Sequence, residues 1–218
     1  MNAVTELSRA AMITTISQAD ANALKAGDPV GGGFYVGQIR QADSLYILIV
    51  APKDGGEHEG AAWNATTKRV EDARSFFDGN ANTIAMGVAG SAIALWAIGL
   101  GIDGFNDWYL PARDELELVY RNLKPSTEGN YVWRAGDNPS SVPAGYPYTA
   151  DSPAQTAIAA FQAGGAEALD DESYYWTSTQ SESNSGNAWF QDFGGGGQDG
   201  NHKDGEFRAR AVRRMKVQ

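Results

Sequence analysis

The densest collection of side chains able to do chemistry lies in the last third of the chain. Ser181, Glu182, Ser183, Asn184, Ser185 and Asn187 precede Trp189, and Gln191, Asp192, Gln198, Asp199, Asn201, His202 and Asp204 follow it. A hydrophobic core has no use for such a set, so these side chains are expected to face water or a ligand. Short amides, hydroxyls and carboxylates on Gly-rich turns, with an aromatic beside them, supply the adaptable hydrogen bonding of a binding-loop surface. The residues expected to contact a ligand are Glu182, Asn184, Asn187, Phe190, Asp192, Gln198, Asp199, Asn201 and His202.

Other chemistries find less support. The chain has no cysteine, which excludes thiol nucleophiles, disulfide scaffolds and Cys-ligated zinc. Its two histidines, His58 and His202, are too far apart for a local metal motif, and neither belongs to a nucleophile-elbow pattern. Glu57-His58-Glu59 sits in the polar segment KDGGEHEG and reads as a solvated turn without a partnering ligand set. A bound cation would belong in the oxygen-rich stretch Asp192–Asp204. The 27 acids allow many carboxylate pairs, but nothing singles out one pair for glycoside hydrolysis. The expectation is a binding protein without enzymatic activity, cofactor or metal.

Seventeen basic against 27 acidic residues leave a net charge of −10, which argues against nucleic acid as a partner. Residues 203–216 alone carry +4, so the remainder carries −14. Arg208, Arg210, Arg213 and Arg214 are expected to pair with Asp114, Glu115 and Glu117 or with other carboxylates, tying the last strand to a helical layer. The longest apolar stretch, Ala89–Ile102, is broken by three glycines and a serine and falls short of the ~20 residues a membrane span needs. The first residues lack the basic-then-apolar pattern of a signal peptide, so synthesis in a cytoplasm is expected.

The elements that must hold the polar surface are read as follows. Residues 1–30 form an arm or helix, with Ser17 as N-cap before Gln18–Lys25 and Gly27 as its stop. Phe34–Ile39 and Leu45–Val50 pair as a hairpin. Ala81–Leu100 reads as one helix that buries Ile84, Val88, Ser91, Ala92, Leu95 and Ile98. A second helix begins at Pro111 and buries Leu116, Val119, Tyr120 and Leu123, leaving Arg113, Asp114, Glu115 and Glu117 wet. Residues 125–153 hold five of the eight prolines and form a long irregular insertion pinned by Tyr131, Trp133, Tyr146 and Tyr148. A short helix, Ala154–Ala163, follows it, and Tyr174–Thr179, Ala188–Phe193 and Phe207–Val217 read as strands around a Gly194–Gly205 loop. The predicted class is α+β, with two helices packed on a short twisted antiparallel sheet with long irregular loops, residues 31–218 forming a single domain.

Several segments, taken in order, carry a resemblance. Trp108, Leu110-Pro111 and Glu115-Leu116, then Trp176–Thr179, Ala188-Trp189 and Val212-Arg213, resemble the C-type-lectin-like domain family found at the C-terminus of collagen-like bacterial adhesins. They are especially similar to its phage-encoded members, which include the major tropism determinants. The resemblance covers about residues 70–123 and 174–216. It implies a C-type-lectin-like fold, with Trp108, Leu110, Pro111, Trp176, Trp189 and Arg213 as structural core beneath a ligand-exposed surface. It also implies a virion-associated protein that recognises a host receptor, a glycan or a neighbouring virion protein, with a surface open to diversification. The alternative is a structural head-decoration or tail-accessory protein. A homo-oligomer is left open, since no coiled-coil heptad demands one.

Overall fold

The computed structural model describes residues 15–218, and the first fourteen positions of the expected arm lie outside the described residues. The described chain runs β1 (Thr15–Ile16), α1 (Gln18–Ala23), β2 (Pro29–Val30), β3 (Gly33–Gln41), β4 (Ser44–Val50), α2 (Lys53–Gly56) and β5 (Glu57–Ala62). It continues with α3 (Gly79–Val88), α4 (Ala92–Ile98), α5 (Arg113–Leu123) and β6 (Ser141–Val142). The last third holds β7 (Tyr174–Gln180), β8 (Asn187–Asp192), β9 (Gln198–His202), β10 (Glu206–Arg210) and β11 (Val212–Val217).

These strands form two mixed sheets in a β-sandwich-like arrangement, which corrects the expected pair of helices on one short antiparallel sheet. One sheet has the order β1-β11-β4-β3-β2, with β6 also on β3; the other runs β5-β10-β7-β8-β9. β1 pairs with β11, and β10 with β7, in parallel; the other pairings are antiparallel. The chain passes from one sheet to the other at the buried Ala211, between β10 and β11. What sequence reading took as one strand is therefore two strands in different sheets.

The strands that escaped the sequence reading share a cause. β5 (EHEGAA) and β9 (QDGNH) are the two outer strands of the second sheet, so they need no apolar alternation. Glu57-His58-Glu59, expected as a turn, is strand β5, and the expected Gly194–Gly205 loop contains β9. The hairpin formed by β3 and β4 matches its expectation, and β4 is buried on both faces, Leu48 and Val50 in one cluster and Ile47 and Ile49 in another.

The helices also differ from expectation. Gly90, at φ +83°, and Ser91 break the expected Ala81–Leu100 helix in two, and Ser91 accepts from Ala94 N–H as the N-cap of α4. The buried face carries Asn82, Thr83 and Met86 from α3 and Ile93, Ala94 and Ala97 from α4. Ile84, Val88, Leu95 and Ile98, predicted inside, are exposed instead. Only a 3₁₀ turn, Ala159–Phe161, stands where a helix over Ala154–Ala163 was expected.

Helix α5 packs against β3 of one sheet and β7 and β8 of the other. Its apolar face, Leu116, Val119, Tyr120 and Leu123, is buried as predicted. Asp114, Glu115 and Glu117 are buried too, against the expectation that they stay wet: the Pro-rich segment covers Asp114 and Glu117, and Glu115 is enclosed by Gly79, Tyr109 and Arg214.

Candidate functional site

The site is built outward from α5. The first N–H groups of a helix have no partner within it. Here Arg113 N–H donates to Thr179 Oγ1 at 3.0 Å and Asp114 N–H to Phe76 O at 2.8 Å. The Glu115 carboxylate turns back to accept from Ala112 N–H at 2.8 Å, from Gly79 N–H at 3.1 Å and from the Tyr109 hydroxyl at 2.8 Å. Burial pushes the Glu115 carboxyl up to about 7, and the Arg214 guanidinium opposes that rise. The Leu110-Pro111…Glu115 pattern is thus a helix start locked from three sides.

The same helix fixes the Pro-rich segment. Glu117 accepts from the Tyr148 hydroxyl at 2.7 Å, from Arg121 at 2.9 Å and from Asn138. Asn138 also donates to Asp114 O at 2.8 Å and accepts from the N–H groups of Ser140 and Ser141. Asp114 accepts from Ser140 Oγ at 2.7 Å. Burial is the leading influence on Asp114 and Glu117, raising both carboxyls, while Arg113 and Arg121 respectively pull them down. At the start of the segment, Asn130 accepts from Tyr120 and Lys124 and donates to Pro153 O at 2.9 Å. Buried polar groups hold the insertion, whereas Tyr131, Trp133 and Tyr146, expected to pin it, lie exposed; Tyr148 is buried as expected.

Between this segment and the second sheet lies a cleft of about 970 Å³. The segment contributes Tyr131, Trp133, Arg134 and Asp137; the sheet contributes Tyr174, Trp189, Phe190, Asp192, Gln198 and Asp199, and α5 adds Arg113. Arg113 lies with its guanidinium 3.8 Å from the Phe76 ring centre and 5.4 Å from that of Trp189, and pairs with Asp114 at 3.0 Å. Arg134 stacks on Trp133 at 4.6 Å. Tyr174 and Phe190 touch at 4.8 Å, and both meet Phe207 at 5.3 Å, making an aromatic face on the sheet.

The floor of the cleft is the turn between β8 and β9. Asp192 accepts from Gly194 and Gly195 N–H at 2.9 and 3.2 Å, and Tyr131 N–H donates to Gly195 O at 2.7 Å. Gly196 has φ +76° and lies against the Tyr120 ring, where a Cβ would come within 2.3 Å of a ring carbon. Gln198 Nε2 donates to Arg113 O at 2.9 Å, joining β9 to the head of α5.

The predicted ligand residues fall into two groups. Phe190, Asp192, Gln198 and Asp199 come together in the cleft. Glu182, Asn184, Asn187, Asn201 and His202 do not line it; they cluster at the opposite end of the β8–β9 pair, where Asn187 faces His202. Four residues separate Gln198 from His202, about 14 Å of strand. His202 there contacts Asp204, and Asn184 accepts from Gly186 N–H. Gln191, placed with the polar surface by sequence, is buried and donates to Gly196 O at 2.8 Å. Among the described residues, no three His, Asp or Glu side chains gather as a cation site.

Of the expected core, Trp108, Leu110, Pro111, Trp176 and Arg213 are buried. Arg213 makes a bidentate pair with Asp107 at 2.7 and 3.0 Å and lies over Phe105 at 4.0 Å. Trp189 departs from the expectation: it is half-buried, lines the cleft and leaves its buried indole N–H unpaired. The hydroxyls of Trp176–Thr179 are inward-facing connectors; Thr177 donates to Trp189 O at 2.9 Å and Thr179 to Ser75 O at 2.8 Å. Among the C-terminal arginines, Arg210 pairs with Glu57 and Glu167, Arg208 with Glu57 and Asp170, and Arg214 with Asp78, and only Arg214 approaches an α5 acid, Glu115 at 4.0 Å. Tyr131, Trp133, Arg134, Asp137, Tyr174 and Arg113 were not predicted as site residues; for Tyr131 and Trp133 the sequence signal was aromatics within a Pro-rich stretch.

The family model of the Lcl C-terminal domain matches residues 55–213. The chain belongs to the Lcl C-terminal domain family. The match spans both α5 and the second sheet, and so the whole cleft. Membership makes the chain an adhesin-like binding domain. No curated protein matches it. Among the described residues of this Lcl-type chain, no helix is long and apolar enough to cross a membrane.

Proposed function

We propose that this domain recognises a host-surface receptor or glycan through the cleft between the Pro-rich segment and strands β8 and β9. The carrying observation is the exposure of Tyr131, Trp133 and Tyr174 on walls that are otherwise fixed by buried bonds. Rings held in water on a rigid support are ready to bind, because no loop must be ordered when a ligand arrives. Four residues read from sequence as ligand contacts share that cleft. Its volume lies near the upper end of the ~300–1,000 Å³ common for ligand pockets.

The similarity of its motifs to phage-encoded members supports a position on a phage or prophage particle, and antibody detection in purified virions tests that part. The binding reading is tested by adding the soluble chain to host cells. The wild type should adhere saturably and compete with adsorption, and Trp133→Ala should do neither. Equal adherence by Trp133→Ala would place recognition elsewhere on the molecule.

A further inference from the structure

We infer that the ligand of this cleft is an uncharged oligosaccharide, bound by ring stacking and by hydrogen bonds to its hydroxyls; the inference rests on the binding role proposed above. Three features of the lining carry it. The first is the kind of apolar surface. Aromatic rings are plentiful, but among the described residues no Leu, Ile, Val or Met lines the cleft. A groove for an amphipathic helix or an acyl chain is built from aliphatic and Met side chains that interdigitate with their guest. Flat, exposed rings such as Trp133 and Tyr131 instead suit a guest with flat C–H faces, whose slightly positive hydrogens meet the negative face of the ring.

The second feature is the set of hydrogen-bonding groups. Gln198 uses one N–H of its amide on Arg113 O, which leaves its carbonyl oxygen and its second N–H for the guest. Asp137 and Asp199 add carboxylates at the same opening, and Asp199 accepts only from the N–H of its neighbour Gly200. With the Arg134 guanidinium and the second Gln198 N–H beside these acceptors, the lining suits a guest whose groups both donate and accept, as hydroxyls do.

Charge is the third. The Arg113 guanidinium is already neutralised by Asp114. Arg134 then stands against Asp137, Asp192 and Asp199, on a chain with a net charge of −10. A sulfated or uronate-rich polymer would meet a negative opening, and like-charge contact is what such surfaces use to refuse a partner.

The test uses the full chain on immobilised neutral oligosaccharides (gluco-, galacto- and manno-configured), on heparin and hyaluronate, and on host cells with or without protease treatment. The expected result is saturable binding to at least one neutral series, quenching of tryptophan fluorescence, and affinity that changes less than about twofold between 50 and 500 mM salt. Trp133→Ala should weaken it about tenfold or more, while Tyr46→Phe, remote from the cleft, should not. Binding confined to the anionic polymers, steeply salt-dependent and sensitive to Trp133→Ala, would overturn the ligand class and leave the cleft's role standing. Cell adherence that is Trp133-sensitive but abolished by protease, with no sugar bound, would also overturn the class, in favour of a protein ligand. Adherence untouched by Trp133→Ala would remove the cleft reading, and this inference with it.

Discussion

The Tyr148 hydroxyl donates to the buried Glu117 carboxylate at 2.7 Å across 31 residues of sequence. Glu117 also takes Arg121, and Arg121 reaches Gly136 O and Tyr146 O in the Pro-rich segment. One helix face thus sets the position of the wall that carries Trp133. Recognition depends on polar groups buried well behind the surface that meets the ligand.

Removal of this clasp should cost stability and affinity together. Asn138 lies fully buried and bonds both to α5 and to its own segment, so Asn138→Ala strands several partners at once. The expected loss is about 3 kcal/mol by urea denaturation. Tyr148→Phe removes a single bond to a charged group and should cost about 2 kcal/mol. If either variant melts like the wild type, the segment is held by something other than these bonds.

Stability should fall as pH rises through mildly acidic values. The Glu115 carboxyl titrates at about 7 in the folded chain but near its ordinary value of about 4.3 when unfolded. Between those values the folded state holds a proton that the unfolded state has released, so raising the pH favours unfolding by at most about 1.4 kcal/mol per unit for this group. Asp114 and Glu117, also raised, act in the same direction. Lys203 behaves oppositely: burial pushes its ammonium down to about 8, so its contribution should recover as pH climbs from there towards about 10.4. Urea titrations at pH 5, 7 and 9 measure both arms. Glu115→Gln should make the first shallower, Asp114 and Glu117 still contributing, and leave the second.

The exposed apolar row on α3 and α4 makes a sharper test of the packing. Val88 is 87% exposed, whereas Ala97 is fully buried in the cluster around Trp63 and Met86. Val88→Asp should move stability by no more than about 0.5 kcal/mol, while Ala97→Asp buries an unpaired carboxylate and should prevent folding. The reverse order in thermal melts would mean that the two helices present the opposite face to the core.

That contrast explains what could be read from sequence. Periodicity located the apolar face of α5 because Leu116, Val119, Tyr120 and Leu123 meet closely packed strands. It failed for Asp114, Glu115 and Glu117 because amphipathic reading assumes water on the far side, whereas the Pro-rich segment covers Asp114 and Glu117, and Gly79, Tyr109 and Arg214 enclose Glu115. It chose the wrong face of α3 because the buried side there carries Asn82 and Thr83, whose hydrogen bonds to Ser75 and Leu110 make polar side chains interior. Strands β5 and β9 were illegible because outer strands need no buried face. Half of the candidate site was visible as polar density, but its partner wall is distant in sequence and carries aromatics that resemble core residues. Only the fold shows that Tyr131 and Trp133 point outward.

Gly196 joins the two walls and makes its own prediction. Its φ of +76° strains any other residue, and a Cβ there would collide with Tyr120, whose hydroxyl bonds Asn130 at the root of the segment. Gly90 has a similar φ of +83° but nothing near its missing Cβ. Gly90→Ala should therefore cost about 1 kcal/mol, the conformational part alone, and Gly196→Ala at least twice that, with weaker binding. Equal losses in paired denaturation curves would mean that the Tyr120 contact yields freely.

The polar surface predicted from sequence is two surfaces, and alanine substitutions should separate them. Asp199 pairs with Phe190 across β8 and β9 inside the cleft, whereas Asn187 pairs with His202 at the far end of the same strands. Asp199, Asn184, Asn187 and Asn201 are at the surface or half-buried, so replacing them should shift the melting temperature by no more than a degree or two. Phe190 packs on Tyr174 and Phe207, and its loss should lower it further. Asp199→Ala and Phe190→Ala should each weaken adherence to host cells severalfold. The triple substitution Asn184→Ala, Asn187→Ala and Asn201→Ala should leave it unchanged, because a ligand seated between Trp133 and Phe190 would have to extend about 7–10 Å further along the hairpin to reach Asn201 and Asn187. If the triple variant loses adherence and Asp199→Ala keeps it, recognition belongs to the Asn187–His202 end, and the cleft is a structural hollow.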